Sequence, residues 1–76
     1  MLYYGKINQE KTGARIRNLM KARGFTPNEM AKQMGGVSVS TIYKWCQGYA
    51  IPSIDNLYVL SRVLKLPIED ILVVEK

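Results

Sequence analysis

Apolar residues recur every three or four positions along the chain in short blocks, and glycine or proline punctuates the blocks. Ile16, Leu19 and Met20 share one face of a first predicted helix, about 9–23. Gly24 ends it, in the position where a left-handed residue commonly closes a helix. Met30, Ala31 and Met34 form the stripe of a second helix over 27–34, stopped by Gly35-Gly36. Ile42, Trp45 and Cys46, at i, i+3 and i+4, root a third over 39–47, closed by Gly48. Ile54, Leu57, Leu60, Ser61 and Leu64 read as the inward side of a fourth over 54–64. Ile68, Ile71 and Leu72 are the apolar residues of a short fifth over 68–73, after Pro67. Strand patterning is nearly absent; Leu2-Tyr3-Tyr4 and Ile71-Leu72-Val73-Val74 are the two segments that read as short extended pieces. The pattern predicts one all-α, five-helix domain over 1–76 with an N-terminal arm over 1–7.

The helix starts are written as clearly as the stripes. Thr26, Pro27 and Glu29 stand at cap, first and third positions, which predicts a capping box: Thr26 accepts from one orphan amide and Glu29 reaches back to another. Phe25 before that cap and Met30 after it are spaced as a hydrophobic staple, and Val37 and Ile42 repeat the arrangement around Ser38. Ser53, following Pro52, caps the fourth helix.

Charge adds direction. The chain of 76 residues carries a net charge of +5. Through Ile51 there are eight basic and two acidic side chains; from Pro52 onward there are three and four. A basic front and a near-neutral back suit a polyanion-binding face with a separate packing or pairing end. The single cysteine, Cys46, excludes an intrachain disulfide, and the absence of histidine removes the usual ligands of a structural zinc site. A reducing cytoplasm is the expected compartment. No apolar run reaches the roughly 20 residues a membrane span needs, and the first residues are too short and polar for a signal peptide.

Two short capped helices joined by a tight glycine turn, the second with polar residues outside, form a helix-turn-helix arrangement. A helix reads the major groove only if its outer face is held clear of its own domain while the preceding helix crosses behind it. Small Ala31 permits the close crossing. The third helix presents Val39, Ser40, Tyr43, Lys44 and Gln47 outward, with Thr41 near the edge. These types suit base edges: Lys44 for guanine O6 and N7, Ser40 or Thr41 for either base, Val39 for a thymine methyl.

From about Thr12 to Leu72 the chain resembles the Cro and phage-repressor type helix-turn-helix family. The resemblance rests on Gly13 to Leu19, Phe25 to Ala31, Val37 to Ile42, Gln47-Gly48 and Pro52-Ser53 with Leu57, Leu60 and Leu64, in that order and spacing. It implies five helices, double-stranded DNA as partner, a homodimer, and transcription regulation such as repression. It implies base contacts from Val39, Ser40, Thr41 and Lys44, to which the outward position of Tyr43 adds a fifth. It implies phosphate contacts from Thr26, Asn28 and Tyr49; Gln47 and Arg15 complete the candidates. Three departures stand out. Pro27 replaces a phosphate-binding donor, and proline has no amide hydrogen to offer instead. Met20 and Cys46 occupy the positions of a buried Arg–Glu pair, whose apolar replacement is often neutral or stabilising. Gly36 is an extra residue in the turn.

Rival readings differ in class. Pro27, Val39 and Ser40 also fit a protein-interaction module that keeps the fold and gives up DNA. Catalysis is not expected: no nucleophile has an evident base, and no glycine-rich phosphate loop is present. No cofactor, metal or small-molecule ligand is evident from the sequence, and the expected pairing surface is the back, around Tyr58, Val59, Arg62, Val63 and Val73-Val74.

Overall fold

Four of the five helices begin where a small polar side chain takes up an orphan amide; the last begins after Pro67 without a side-chain cap. The computed structural model describes residues 5–75 and runs β1 (Lys6–Ile7), α1 (Gln9–Ala22), α2 (Pro27–Gln33), α3 (Val39–Cys46), α4 (Ile54–Leu64), α5 (Ile68–Ile71) and β2 (Val74–Glu75). The Asn8, Thr26, Ser38 and Ser53 side chains accept from the amides of Lys11, Glu29, Thr41 and Asn56 respectively. The capping box at Thr26 is half formed. Glu29 accepts the Thr26 hydroxyl proton at 3.1 Å, so its carboxylate serves the cap's side chain rather than the cap's backbone amide as expected.

The five predicted helices are present. α1, α2 and α3 end one residue earlier than the pattern implied, because Arg23, Met34 and Gln47 are half-in cap residues whose amides still bond back into the helix. α5 stops at Ile71, two residues early, since Leu72 turns extended (φ −81°, ψ 141°). What pulls the chain out is a pair of bonds at Val73: its amide donates to the Thr12 hydroxyl at 3.0 Å, and its carbonyl accepts from the Asn8 amide at 2.8 Å. β1 and β2 then pair antiparallel, Lys6 opposite Glu75 and Ile7 opposite Val74. The end of the expected arm is therefore a strand, and Val74 of the expected pairing surface is bonded within the chain. Leu2-Tyr3-Tyr4 lies outside the described residues.

The core is one cluster that includes Ile16, Met20, Met30, Ile42, Trp45, Leu60, Leu64 and Ile71, all buried. Three positions depart from the expected faces. Ile54 is 84% exposed, because it stands at the first position of α4, beyond the part of the stripe that meets the body. Val59 and Val63, expected at the outer surface, are half-buried against the core, whereas Tyr58 beside them is exposed.

α1 lies directly on the end of α3, and Gly13 is the point of approach. A side chain there would overlap the Trp45 carbonyl oxygen and approach the Gly48 nitrogen to 3.0 Å. Gly48 answers from the other side: it takes φ +78°, and a Cβ on it would lie 2.9 Å from Glu10 Cα. Its carbonyl accepts from the Gln9 side chain at 2.7 Å. These contacts fix the angle at which α3 leaves the body.

Candidate nucleic-acid interface

α3 is anchored by burial on one side only. Ile42 and Trp45 are 0% and 2% exposed, and Cys46 is buried beside them. The opposite side carries Ser40, Tyr43, Lys44 and, at the C-cap, Gln47, all exposed. A helix with its tryptophan tucked under and a hydroxyl, a phenol, an ammonium and an amide outside offers donors to a polar partner in one surface.

Two of the expected base-reading residues are less free. Val39 is half-buried and packs against the core, since the first turn of α3 leans on the body where Val37 also packs. Thr41 is half-buried, and its hydroxyl shares a 2.8 Å hydrogen bond with that of Ser38. The outward set is therefore Ser40, Tyr43 and Lys44.

The flanking candidates divide in the same way. Thr26 and Asn28 are exposed at the start of α2, and Tyr49 is 75% exposed in the loop after α3. Pro27 is half-buried at the first position of α2 and contributes no donor. Arg15 is turned elsewhere: its Nε donates to the Asp70 carbonyl at 2.6 Å, which ties it to α5 and the back of the molecule. The cations beside α3 are instead Arg17 and Lys21, which line a groove together with Tyr43, Cys46 and Gln47. The helical period distinguishes them. Arg17 and Lys21 are four apart on one face of α1, and Arg15 is on another.

Met20 and Cys46 meet across α1 and α3, with the thiol 4.0 Å from the thioether sulfur. Burial pushes the Cys46 thiol pKa up, against the pull of the Arg17 charge, so the thiol stays protonated and behaves as a small hydrophobe. The turn between α2 and α3 uses both glycines in left-handed or extended positive conformations, Gly35 at φ +70° and Gly36 at φ +131°. Gly36 is thereby accommodated without disturbing the cap at Ser38.

Among solved structures the chain is similar to the restriction-modification controller protein C.AhdI from Aeromonas hydrophila. The TM-score is 0.76 at 24% identity over 83% of this chain and 94% of that one. It is similar to the clp gene regulator ClgR from C. glutamicum (TM-score 0.73, 24% identity, 83% and 80% covered). The S. venezulae BldD DNA-binding domain superposes with a TM-score of 0.74 at 17% identity, covering 86% and 96%. At these identities the likeness speaks for the fold. Comparison with curated protein sequences gives no match. The helix-turn-helix family matches residues 16–71, which span α1 from its first core residue to the end of α5. The chain belongs to the Cro/phage-repressor type helix-turn-helix family.

Proposed function

We propose that the protein regulates transcription by placing α3 in the major groove of duplex DNA, as a homodimer on a two-fold operator. The observation that carries this reading is the one-sided anchoring of α3, with Trp45 at 2% exposure beneath and Ser40, Tyr43 and Lys44 free above. Lys44 donates to guanine O6 and N7, Ser40 to either base, and Tyr43 supplies a ring and a hydroxyl at the centre of the surface. Val39 and Thr41 lie at the rim, where a thymine methyl or a sugar is the natural neighbour. Thr26, Asn28, Gln47 and Tyr49 hold phosphates on either side, and Arg17 and Lys21 take the part first assigned to Arg15.

A second copy docks through the exposed part of α4, around Tyr58 and Arg62, which sets two recognition helices about one DNA turn, roughly 34 Å, apart. It acts as a repressor, by occupying a promoter. Among the described residues no helix is long and apolar enough to cross a membrane, and a reduced, buried Cys46 suits the cytoplasm.

Selection of bound sites from a random duplex pool tests the reading. The expected result is one short inverted repeat with half-sites spaced by about 10 base pairs. Recovery of no enriched sequence at low salt, where phosphate contacts are strongest, overturns it in favour of a protein-interaction module.

A further inference from the structure

Met20 and Cys46, in contact sulfur to sulfur, belong to the floor of a groove whose apolar base the DNA-binding reading leaves unused. This groove of about 300 Å³ runs between the C-terminal half of α1, the start of α2 and the outer edge of α3. Its floor is apolar: Met20, Phe25, Pro27 and Cys46. Its rim carries Arg17 and Lys21, and no carboxylate lines it. Among the described residues neither cation takes part in an ion pair; the salt bridge there, Lys11–Glu75, lies at the strand pair. The Arg17 charge is felt at the floor, where it opposes the upward push of burial on the Cys46 thiol. Tyr43 and Gln47 close the side toward the outer surface of α3.

An apolar floor selects an apolar body, and two unpaired cations at one rim select an anionic end. The volume stands at the lower limit for ligand pockets, about 300–1,000 Å³, which restricts the body to one or two rings or a short acyl chain. We infer that this groove binds a small amphipathic organic anion, an aromatic or short aliphatic carboxylate, with its carboxylate on Arg17 and Lys21 and its body over Met20 and Phe25. Binding there competes with DNA, because Tyr43 and Gln47 belong to both surfaces and Arg17 and Lys21 cannot serve a carboxylate and a phosphate together. The competition, though not the binding, rests on the DNA-facing role proposed for α3. The reading head thereby carries a ligand-responsive site of its own.

The probe is 2-naphthoate, titrated into the full chain while the methionine methyl resonances are followed by NMR. The expected result is a saturable shift of Met20, with Met30 and Met34, buried in the core away from the groove, unmoved. The Arg17→Ala/Lys21→Ala protein, altered only at exposed positions, should bind 2-naphthoate about tenfold more weakly, the scale of losing a charge-assisted hydrogen bond. It should bind the uncharged 2-naphthamide as the parent does. Addition of the selected duplex should lower 2-naphthoate affinity by a similar factor. No saturable Met20 shift, or equal affinity for acid and amide in the parent, overturns the site. A Met20 shift that persists unchanged in the presence of bound duplex overturns the competition. If no duplex is bound at all, the reading of α3 fails while the groove result stands on its own.

Discussion

At Gly13 the usual sign of a substitution is reversed. Inside an exposed helix, glycine to alanine gains about 1 kcal/mol, because alanine loses less backbone entropy on folding. At Gly13 the new methyl would overlap the Trp45 carbonyl oxygen, which belongs to a rigid backbone and has no rotamer to retreat to. Gly13→Ala should therefore destabilise the fold by about 1–3 kcal/mol, read as a lowered urea midpoint at unchanged slope; a raised midpoint would contradict the close approach of α1 and α3. Lys44 offers the complementary case, exposed in the outward set of α3 and outside the buried core. Lys44→Ala should leave stability unaltered and cost about 1–3 kcal/mol in specific binding, with preference relaxed at one base position. Binding curves against the selected site and its single-base variants measure both, and full affinity with the same preference removes Lys44 from the reading surface. Single positions were the least legible from sequence. Periodicity assigned Trp45 and Ile42 inward correctly because mid-helix residues must obey the helical period. It misplaced Val39 and Ile54, because first-turn residues face whatever the neighbouring chain happens to supply.

Among the elements, the helices are local objects and the strand pair is not, and that difference decided what the sequence revealed. Thr26, Ser38 and Ser53 announce their helices because a cap and its orphan amides lie within three residues. β1 and β2 are two residues each and nearly the whole chain apart, too short for an alternating pattern to register. The clasp they form is secured at Glu75, which accepts from the Asn8 side-chain amide and lies 3.4 Å from the Lys11 ammonium. Those hydrogen bonds, the one from Asn8 foremost, hold the Glu75 carboxyl below its ordinary range. The folded pKa being the lower one, the contribution is complete above the unfolded value, about 4.3 for glutamate, and is lost as pH falls through the folded value. The Asn8 side-chain amide resonance should follow that titration with its midpoint below the ordinary glutamate range. Glu75→Gln should abolish the transition while leaving the helices intact. A midpoint in the ordinary range would mean the clasp is not closed by this carboxylate.

For the whole molecule, the uneven charge becomes a surface only once the helices are placed. The sequence located the basic excess in the first two thirds of the chain, but it could not separate Arg15, turned to Asp70 at the back, from Arg17 and Lys21 beside α3. That separation depends on which face of α1 the end of α3 covers. With Arg15 withdrawn, the cations grouped around the outer edge of α3 are Arg17, Lys21 and Lys44. Each phosphate neutralised releases condensed counterions, so log K falls against log salt with a slope of about −0.9 per contact. With Lys44 on a base edge, the two phosphate contacts of Arg17 and Lys21 imply a slope of about −2 for one protomer and about −4 for two bound side by side. Fluorescence anisotropy with the selected duplex across a salt series reads the slope, and sedimentation of the complex reads the stoichiometry that it must match. Arg17→Ala/Lys21→Ala should flatten the slope by about 2 per protomer, whereas Arg15→Ala should leave it where it was. An equal loss from Arg15→Ala would mean that DNA wraps toward α5, and the one-sided surface built on α3 would have to be redrawn.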